Sequence, residues 1–142
     1  MVRRDVDDAI RRWSERQNGM IAARQLHSIG ASSHHLRRRI GRGHLQRLPD
    51  TGVYRLAGTP TSWAATVTSA ALSCGPVSAA SHRTSAHLWG LLERRPDTIE
   101  VSVRRGRIRR RSGGVHHSRD LDHTAHTLVA GEPDEAPAGT GR

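Results

Sequence analysis

The chain of 142 residues contains no lysine, no phenylalanine and a single cysteine, Cys74. One cysteine can neither form an internal disulfide nor anchor a multi-cysteine zinc site, which favours a reducing, cytoplasmic location. Without lysine, a P-loop of the usual form and the D…E-x-K core of restriction-type nucleases are both excluded. Without phenylalanine, we expect a core of leucine, isoleucine, valine and alanine.

Long apolar runs are also missing. The N-terminus leads into acidic residues from Asp5 onwards, so we expect no signal peptide. The longest apolar stretch, residues 63–74, is interrupted by serine and threonine and is too short to span a bilayer. The sequence therefore predicts no membrane partner.

All 23 basic residues are arginines, and the net charge is +10. The codon bias of a GC-rich genome accounts for part of this excess. Residues 1–60 carry 12 arginines against five acids, and residues 94–119 carry nine against two. The segment between them is balanced, and residues 120–142 carry five acids against one arginine. Double-stranded DNA is the usual partner of such basic blocks; a solvated basic surface is the alternative.

Apolar residues at helical spacing, bounded by cap and stop residues, predict three helices near the N-terminus. These helices are predicted over residues 5–16, 22–29 and 32–42. Two short runs, 44–48 and 53–56, then flank a Pro/Asp/Gly turn and predict a β-hairpin. Three helices followed by a hairpin form the layout of a winged helix-turn-helix, which we expect over residues 1–58.

The third predicted helix carries the strongest functional signal. Leu36 and Ile40 are four residues apart and are expected to face the core, which leaves a basic face opposite. Arginine reads guanine bidentately, and serine and histidine contact bases or phosphates. We expect Ser33, His34 and Arg38 to contact bases, and Arg37, Arg39 and Arg42 to contact phosphates. The full predicted DNA-contacting set is Ser32, Ser33, His34, His35, Arg37, Arg38, Arg39, Arg42, and, on the hairpin, Arg47 and Arg55.

The remainder is predicted as a small mixed segment over residues 59–119 and a disordered acidic tail over 120–142, which makes the fold class α+β. The segment is expected to hold helices over 61–73 and 81–92 and a β-hairpin of 99–103 with 115–119. The arginines of the loop between these strands form a second candidate contact for nucleic acid or an acidic protein, or else a solvated loop. They are Arg104, Arg105, Arg107, Arg109, Arg110 and Arg111.

Ten histidines raise the question of a metal site. The adjacent pairs His34-His35 and His116-His117 point to different sides of a helix or strand, and no H-E-x-x-H motif occurs. Cys74 has no sequence signature of a nucleophile. We therefore expect no metal, no cofactor and no catalytic residues, and hence a protein that is not an enzyme.

Several segments together resemble one family, the antitoxins of the AbiEi type, across about residues 8–121. They are GMIAARQL at 19–26, GVY at 52–54, SHRTSAHLWGL at 81–91, IEVSVRRG at 99–106 and HSRDL at 117–121. The resemblance implies a winged-helix head and a repressor that binds its own promoter. It also implies a cognate toxin, typically similar to nucleotidyltransferases, as a partner. Pro49-Asp50 stands where relatives often have basic residues, which weakens the expected wing contact.

Many relatives continue into a domain similar to very-short-patch-repair endonucleases, whereas this sequence turns acidic, so we expect a version truncated at the C-terminus. Two alternatives stay open. One is a protein-interaction module in which residues 59–119 bind a toxin or a second copy. The other is the non-catalytic N-terminal fragment of a nuclease-like protein. The sequence predicts neither the operator nor the oligomeric state.

Overall fold

The computed structural model describes residues 3–104 and 114–118, and the side chains of residues 4–103. This part of the chain is mixed α and β, with five helices and two three-stranded sheets. The predicted α+β class is therefore confirmed at this level. The chain divides into two compact units, Met1–Ser69 and Ala70–Arg142, so the first unit includes the predicted residues 1–58 and continues beyond them.

The first unit begins with three helices and a short strand, followed by two further strands. They are α1 (Arg3–Arg16), β1 (Met20–Ala22), α2 (Ala23–Ser28), α3 (Ser33–Gly41), β2 (Leu45–Leu48) and β3 (Val53–Leu56). The sheet is antiparallel in the order β1-β3-β2. The predicted hairpin is confirmed as β2 and β3, and β1 adds a third strand, which pairs with β3.

The core of this unit is aliphatic, as the composition predicts, with one tyrosine. Its buried members come from both helices and strands: Val6, Ile10, Ile21, Leu26, Leu45 and Tyr54. Trp13 of α1 packs against this cluster. Burying one such aliphatic side chain contributes about 1.5–3 kcal/mol, so this cluster holds the helices on the sheet.

The end of α1 is sharply defined. Asn18 and Gly19 both have positive φ, at 54° and 80°, and the Gly19 N–H donates to the Ser14 carbonyl at 2.7 Å. A Cβ at Gly19 would lie 2.2 Å from the Thr59 hydroxyl oxygen, so glycine is required here. The Asn18 amide donates to the Thr68 hydroxyl at 2.9 Å, which ties the helix end to residues later in the same unit.

Two buried glutamines join α1, β1 and α2. Gln17 Nε2 donates to Gln25 Oε1 at 2.9 Å, and Gln25 Nε2 donates to Gln17 Oε1 at 2.8 Å. Gln17 Nε2 also donates to the Met20 carbonyl, and Gln25 Oε1 accepts from the Ala22 N–H, both at 2.9 Å. Because both residues are fully buried, these bonds offset the cost of removing two amides from water.

The second unit contains the end of α4 (Trp63–Ser73), followed by β4 (Ser78–Ala80), α5 (His82–Leu88), β5 (Glu100–Arg104) and β6 (Gly114–Ser118). The sheet order is β4-β5-β6. Thr84 of α5 is buried, and its hydroxyl accepts from the Glu100 N–H at 2.8 Å, which fixes the helix to β5. Val101 and Val103 of β5 are both buried in the unit's core.

The structure corrects two predictions in this unit. Strand β6 pairs with β5 in parallel, so the two do not form the predicted hairpin. The alternation of apolar residues has the same period in either strand direction, which is why the pattern did not reveal the direction. In addition, α5 ends at Leu88 rather than near residue 92, because Gly90 takes a φ of 73° and stops the helix. The predicted disorder of residues 120–142 lies outside the described residues.

We expect Gln17→Ala to lower the free energy of unfolding by about 1–3 kcal/mol, because it leaves the buried Gln25 amide without its partner. The double variant Gln17→Leu/Gln25→Leu should lose less stability than Gln17→Leu and Gln25→Leu lose in sum. The reason is that it removes both amides together and leaves neither without its partner. Urea denaturation measures both. Gln46→Ala, at an exposed glutamine of the hairpin, is the control and should cost under about 0.5 kcal/mol. Equal losses at positions 17 and 46 would contradict the role of the pair.

Candidate nucleic-acid interface

The helix α3 starts where the sequence predicts. The Ser32 hydroxyl accepts from the His35 N–H at 3.1 Å and caps the helix. Four residues, 29–32, separate α2 from α3, and Gly30 among them has a φ of 81°. Two helices joined by a short turn that contains glycine follow each other in the order found in a helix-turn-helix.

The exposed side of α3 differs from the predicted one. Ser33, His34 and Arg37 are exposed, Arg38 is half-buried, and Ile40 is 38% exposed. His35, in contrast, is only 7% exposed. Compared with the predicted seam of Leu36 and Ile40, the helix is therefore rotated so that His35 faces inward and Ile40 faces outward. Leu36 still packs against the core cluster.

An electrostatic contact with α1, which the sequence pattern does not reveal, accompanies the rotation. Asp7 of α1 lies between two residues of α3. Its Oδ1 lies 3.2 Å from His35 Nε2, and its Oδ2 forms an ion pair with Arg39. The contact with His35 is not aligned as a hydrogen bond, and neither atom has such a partner among the described residues. It becomes an ion pair only when the imidazole is protonated.

These contacts bear on two of the predicted DNA-binding residues. The prediction that His35 lies on the DNA-facing side of the helix is wrong, because its ring is buried against α1. Arg39 is half-buried and paired with Asp7, so we expect it to position α3 rather than to bind phosphate. The interhelical role of Asp7 has no local signal in the sequence.

The two DNA-binding residues predicted on the hairpin, Arg47 and Arg55, do not share a face of the sheet. Arg55 lies opposite Gln46 in the strand register, and its guanidinium donates to Gln46 Oε1 at 2.7 Å. Arg47 lies opposite Tyr54 instead. Directly opposed residues share a face and neighbours alternate, so Arg47 and Arg55 lie on opposite faces of the sheet. Arg47 is exposed and Arg55 is half-buried.

The tip of the hairpin is a tight turn over residues 49–52. Asp50 and Gly52 both have positive φ, at 59° and 68°. The Thr51 hydroxyl donates to the Leu48 carbonyl at 2.9 Å and accepts from the Val53 N–H at 3.1 Å. These bonds fix the turn beyond its backbone conformation, so the tip is a defined projection of the sheet.

The charge of the first unit concentrates around these elements. Residues 3–58 carry 12 arginines and five acids, a net charge of +7. Arg37, Arg42 and Arg47 are exposed, and none of them forms an ion pair with another described residue. Unpaired guanidinium groups at a surface attract phosphate.

The second predicted basic patch lies outside the described side chains. Arg104 is the last residue of β5, and its side chain lies outside the described residues. The rest of the patch, Arg105, Arg107, Arg109, Arg110 and Arg111, lies outside them entirely. Its role stays a prediction.

A shallow cleft of about 350 Å³ opens elsewhere in the first unit. The end of α1 and the residues that follow β3 line it, among them Arg11, Glu15, Asn18 and Thr59. Its lining includes no residue of α3. The cleft is therefore separate from the candidate interface.

Metal-binding groups, membrane-spanning helices and reactive thiols are the other features of the described residues that bear on function. No three His, Cys, Asp or Glu side chains there are grouped so that they could hold a metal ion. None of the helices in residues 3–104 combines the length and apolarity needed to cross a membrane. Cys74 is buried, and burial raises the pKa of its thiol, with a hydrogen bond to Ser73 offsetting part of the rise. A raised pKa favours the protonated thiol, which is less reactive than the thiolate.

We expect Asp7→Asn to destabilise the protein by about 1–3 kcal/mol, because Arg39 loses its counter-charge while still half-buried. The cost stays below that of a fully buried pair since water reaches both partners. Thermal unfolding measures it. The matched control is Asp8→Asn, whose pair with Arg11 at 3.4 Å is exposed on both sides and should cost less than about 1 kcal/mol. If both variants lost the same stability, Asp7 would not anchor α3.

We expect Cys74 to react slowly with iodoacetamide at pH 8 in the folded protein and quickly in urea, since folding both covers the thiol and disfavours the thiolate. Mass spectrometry over time measures the rate. Ala23→Cys adds a second thiol at an exposed position and should be alkylated quickly without denaturant. Rapid native modification of Cys74 would show that the second unit opens around it.

A comparison with known protein families found no family model that matches the chain, and a comparison with curated proteins found no significant sequence match. The resemblance to AbiEi-type antitoxins therefore stays a prediction.

Proposed function

We propose that the first unit is a winged helix-turn-helix that binds double-stranded DNA, and that the protein is a transcriptional regulator of the antitoxin type. The element order supports the fold. Three helices, a strand between the first two, and a closing hairpin give the succession α1-β1-α2-α3-β2-β3 with sheet order β1-β3-β2. In a winged helix, α3 is the recognition helix and the β2–β3 hairpin is the wing.

The observation that carries the proposal is the exposed face of α3. A recognition helix presents its N-terminal residues to base edges in the major groove. Here the N-terminal half exposes Ser33, His34 and Arg37, next to the half-buried Arg38. These side chains can contact bases or phosphates, whereas the inward residues His35 and Arg39 hold the helix on α1.

The flanking arginines support backbone contact. Arg42, at the C-cap of α3, and Arg47, on the edge strand β2, are both exposed. Contacts to phosphate fix the register of a protein on the duplex without reading its sequence. Arg55 lies on the other face of the sheet and is hydrogen-bonded to Gln46, so its part in binding is expected to be smaller.

The regulatory role rests on the resemblance to AbiEi-type antitoxins. It makes the DNA upstream of the gene the first operator to test, and a toxin encoded nearby the first protein partner to seek. We propose that repression, not catalysis, is the activity of this chain.

Fluorescence anisotropy with the upstream intergenic duplex and an unrelated duplex, at several salt concentrations, tests the proposal. We expect the affinity to fall steeply with salt, with a log–log slope of about −0.9 for each phosphate contacted. The upstream duplex should bind more tightly than the unrelated one. Equal, weak binding to both duplexes would overturn the regulator, and binding that does not respond to salt would overturn the DNA interface.

Two variants separate the expected contacts. Arg38→Ala should weaken binding to the upstream duplex by about 1–3 kcal/mol and leave the unrelated duplex less affected, as a base contact does. Arg37→Ala should weaken both duplexes and reduce the salt slope by about 1, as a phosphate contact does.

Arg83→Ala removes the same charge from an exposed position in the second unit and is the matched control. It should leave affinity and slope unchanged. An effect as large as that of Arg37→Ala would indicate attraction by net charge alone, with no defined face of α3.

A further inference from the structure

Asn18 is the one asparagine of the sequence, and a glycine follows it directly. An Asn-Gly pair can deamidate without an enzyme, because glycine has no side chain to shield its backbone nitrogen. That nitrogen loses its proton and attacks the side-chain carbonyl carbon of the asparagine. A C–N bond forms, and the side-chain amide leaves as ammonia. Water then opens the resulting succinimide to aspartate or isoaspartate.

The attacking nitrogen is engaged in the folded chain. The Gly19 N–H donates to the Ser14 carbonyl at 2.7 Å. On the far side of the glycine, the Met20 N–H donates to the Gln17 carbonyl at 3.0 Å, and the Leu56 N–H donates to the Gly19 carbonyl at 2.9 Å. The nitrogen cannot lose its proton and turn towards the Asn18 side chain while these bonds are formed. Attack therefore requires this part of the backbone to open first.

The side-chain amide that would react is held as well. Asn18 Nδ2 donates to the Thr68 hydroxyl at 2.9 Å, and that hydroxyl donates in turn to the Ala64 carbonyl at 2.9 Å. Thr68 is fully buried on α4, so its oxygen is fixed in position. Rotation of the Asn18 side chain towards the Gly19 nitrogen breaks the bond to Thr68. The two reacting groups are thus anchored to different helices, one to α1 and the other to α4.

Neither product suits the folded backbone. Isoaspartate inserts an extra carbon into the main chain before Gly19, where a Cβ on the glycine would already collide with the Thr59 side chain. Aspartate keeps the length of the main chain but replaces the Nδ2 donor by an oxygen, so Thr68 no longer receives its hydrogen bond. It also puts a negative charge just beyond the C-terminal end of α1, where the helix dipole disfavours it. Both products therefore favour the unfolded chain.

We propose that Asn18-Gly19 is a deamidation site that the folded first unit protects and that unfolding exposes. A chain that stays folded keeps its amide. A chain that unfolds gains a carboxylate at residue 18, and this change weakens the fold to which it would return. Deamidation thus marks the chains that have unfolded. The proposal concerns the chemistry of the chain itself and does not depend on DNA binding.

Incubation of the full chain at mildly alkaline pH, in buffer and in denaturing urea, tests the protection, with peptide mapping by mass spectrometry as the measurement. We expect deamidation in buffer to be at least about tenfold slower than in urea, because it proceeds through molecules that have opened locally. A synthetic peptide of residues 14–22 is the control for any effect of urea on the chemistry, and it should react at similar rates in both solutions. Equal rates for the native and the unfolded chain overturn the proposal.

The effect on the fold is tested with the modified chain itself. Chain aged in urea is refolded, and ion exchange separates the products, since each carries an additional negative charge. We expect a lower midpoint of urea denaturation for the isoaspartyl fraction than for the unmodified chain, with Asn18→Asp between them. Asn18→Gly, the matched control, keeps the left-handed backbone without charge or added length and should lie closer to the unmodified chain. An isoaspartyl fraction as stable as the unmodified chain contradicts the proposal.

Discussion

Two amides, those of Gln17 and Gln25, exchange hydrogen bonds at the point where α1, β1 and α2 meet. The same atoms also satisfy the Met20 carbonyl and the Ala22 N–H, so the direction of the chain is fixed on both sides of β1. Strand β1 pairs with the central strand β3, and α2 leads directly into the turn before α3. This junction therefore sets the position from which α3 starts.

The rotation of α3 about its own axis is decided elsewhere, by Asp7. An ion pair with Arg39 and the nearby ring of His35 turn one polar side of α3 towards α1. The leucine Leu36 still reaches the core, whereas Ile40 does not. One carboxylate on another helix thereby influences which residues of α3 face the solvent.

Local signals predicted much of the first unit. These signals act within a few residues along the chain. They are the apolar spacing of Val6 and Ile10, the helix stop at Asn18 and Gly19, the cap at Ser32 and the turn between β2 and β3. The rotation of α3 could not be predicted in this way, since the spacing of Leu36 and Ile40 does not report a carboxylate from a distant segment. The parallel pairing of β5 and β6 was missed because alternation carries no direction. The end of α5, however, has a local signal in Gly90, which lies inside the predicted range of 81–92.

The junction of α1, β1 and α2 is held by neutral groups, while the orientation of α3 is held by charges. Amide–amide hydrogen bonds are insensitive to ionic strength and to pH over the physiological range, whereas a half-buried carboxylate–guanidinium pair is partly screened by salt. Raising the salt concentration therefore acts on this protein in two places, on the arginines that would meet phosphate and on the tie that aims them. The scaffold that carries both is left unchanged.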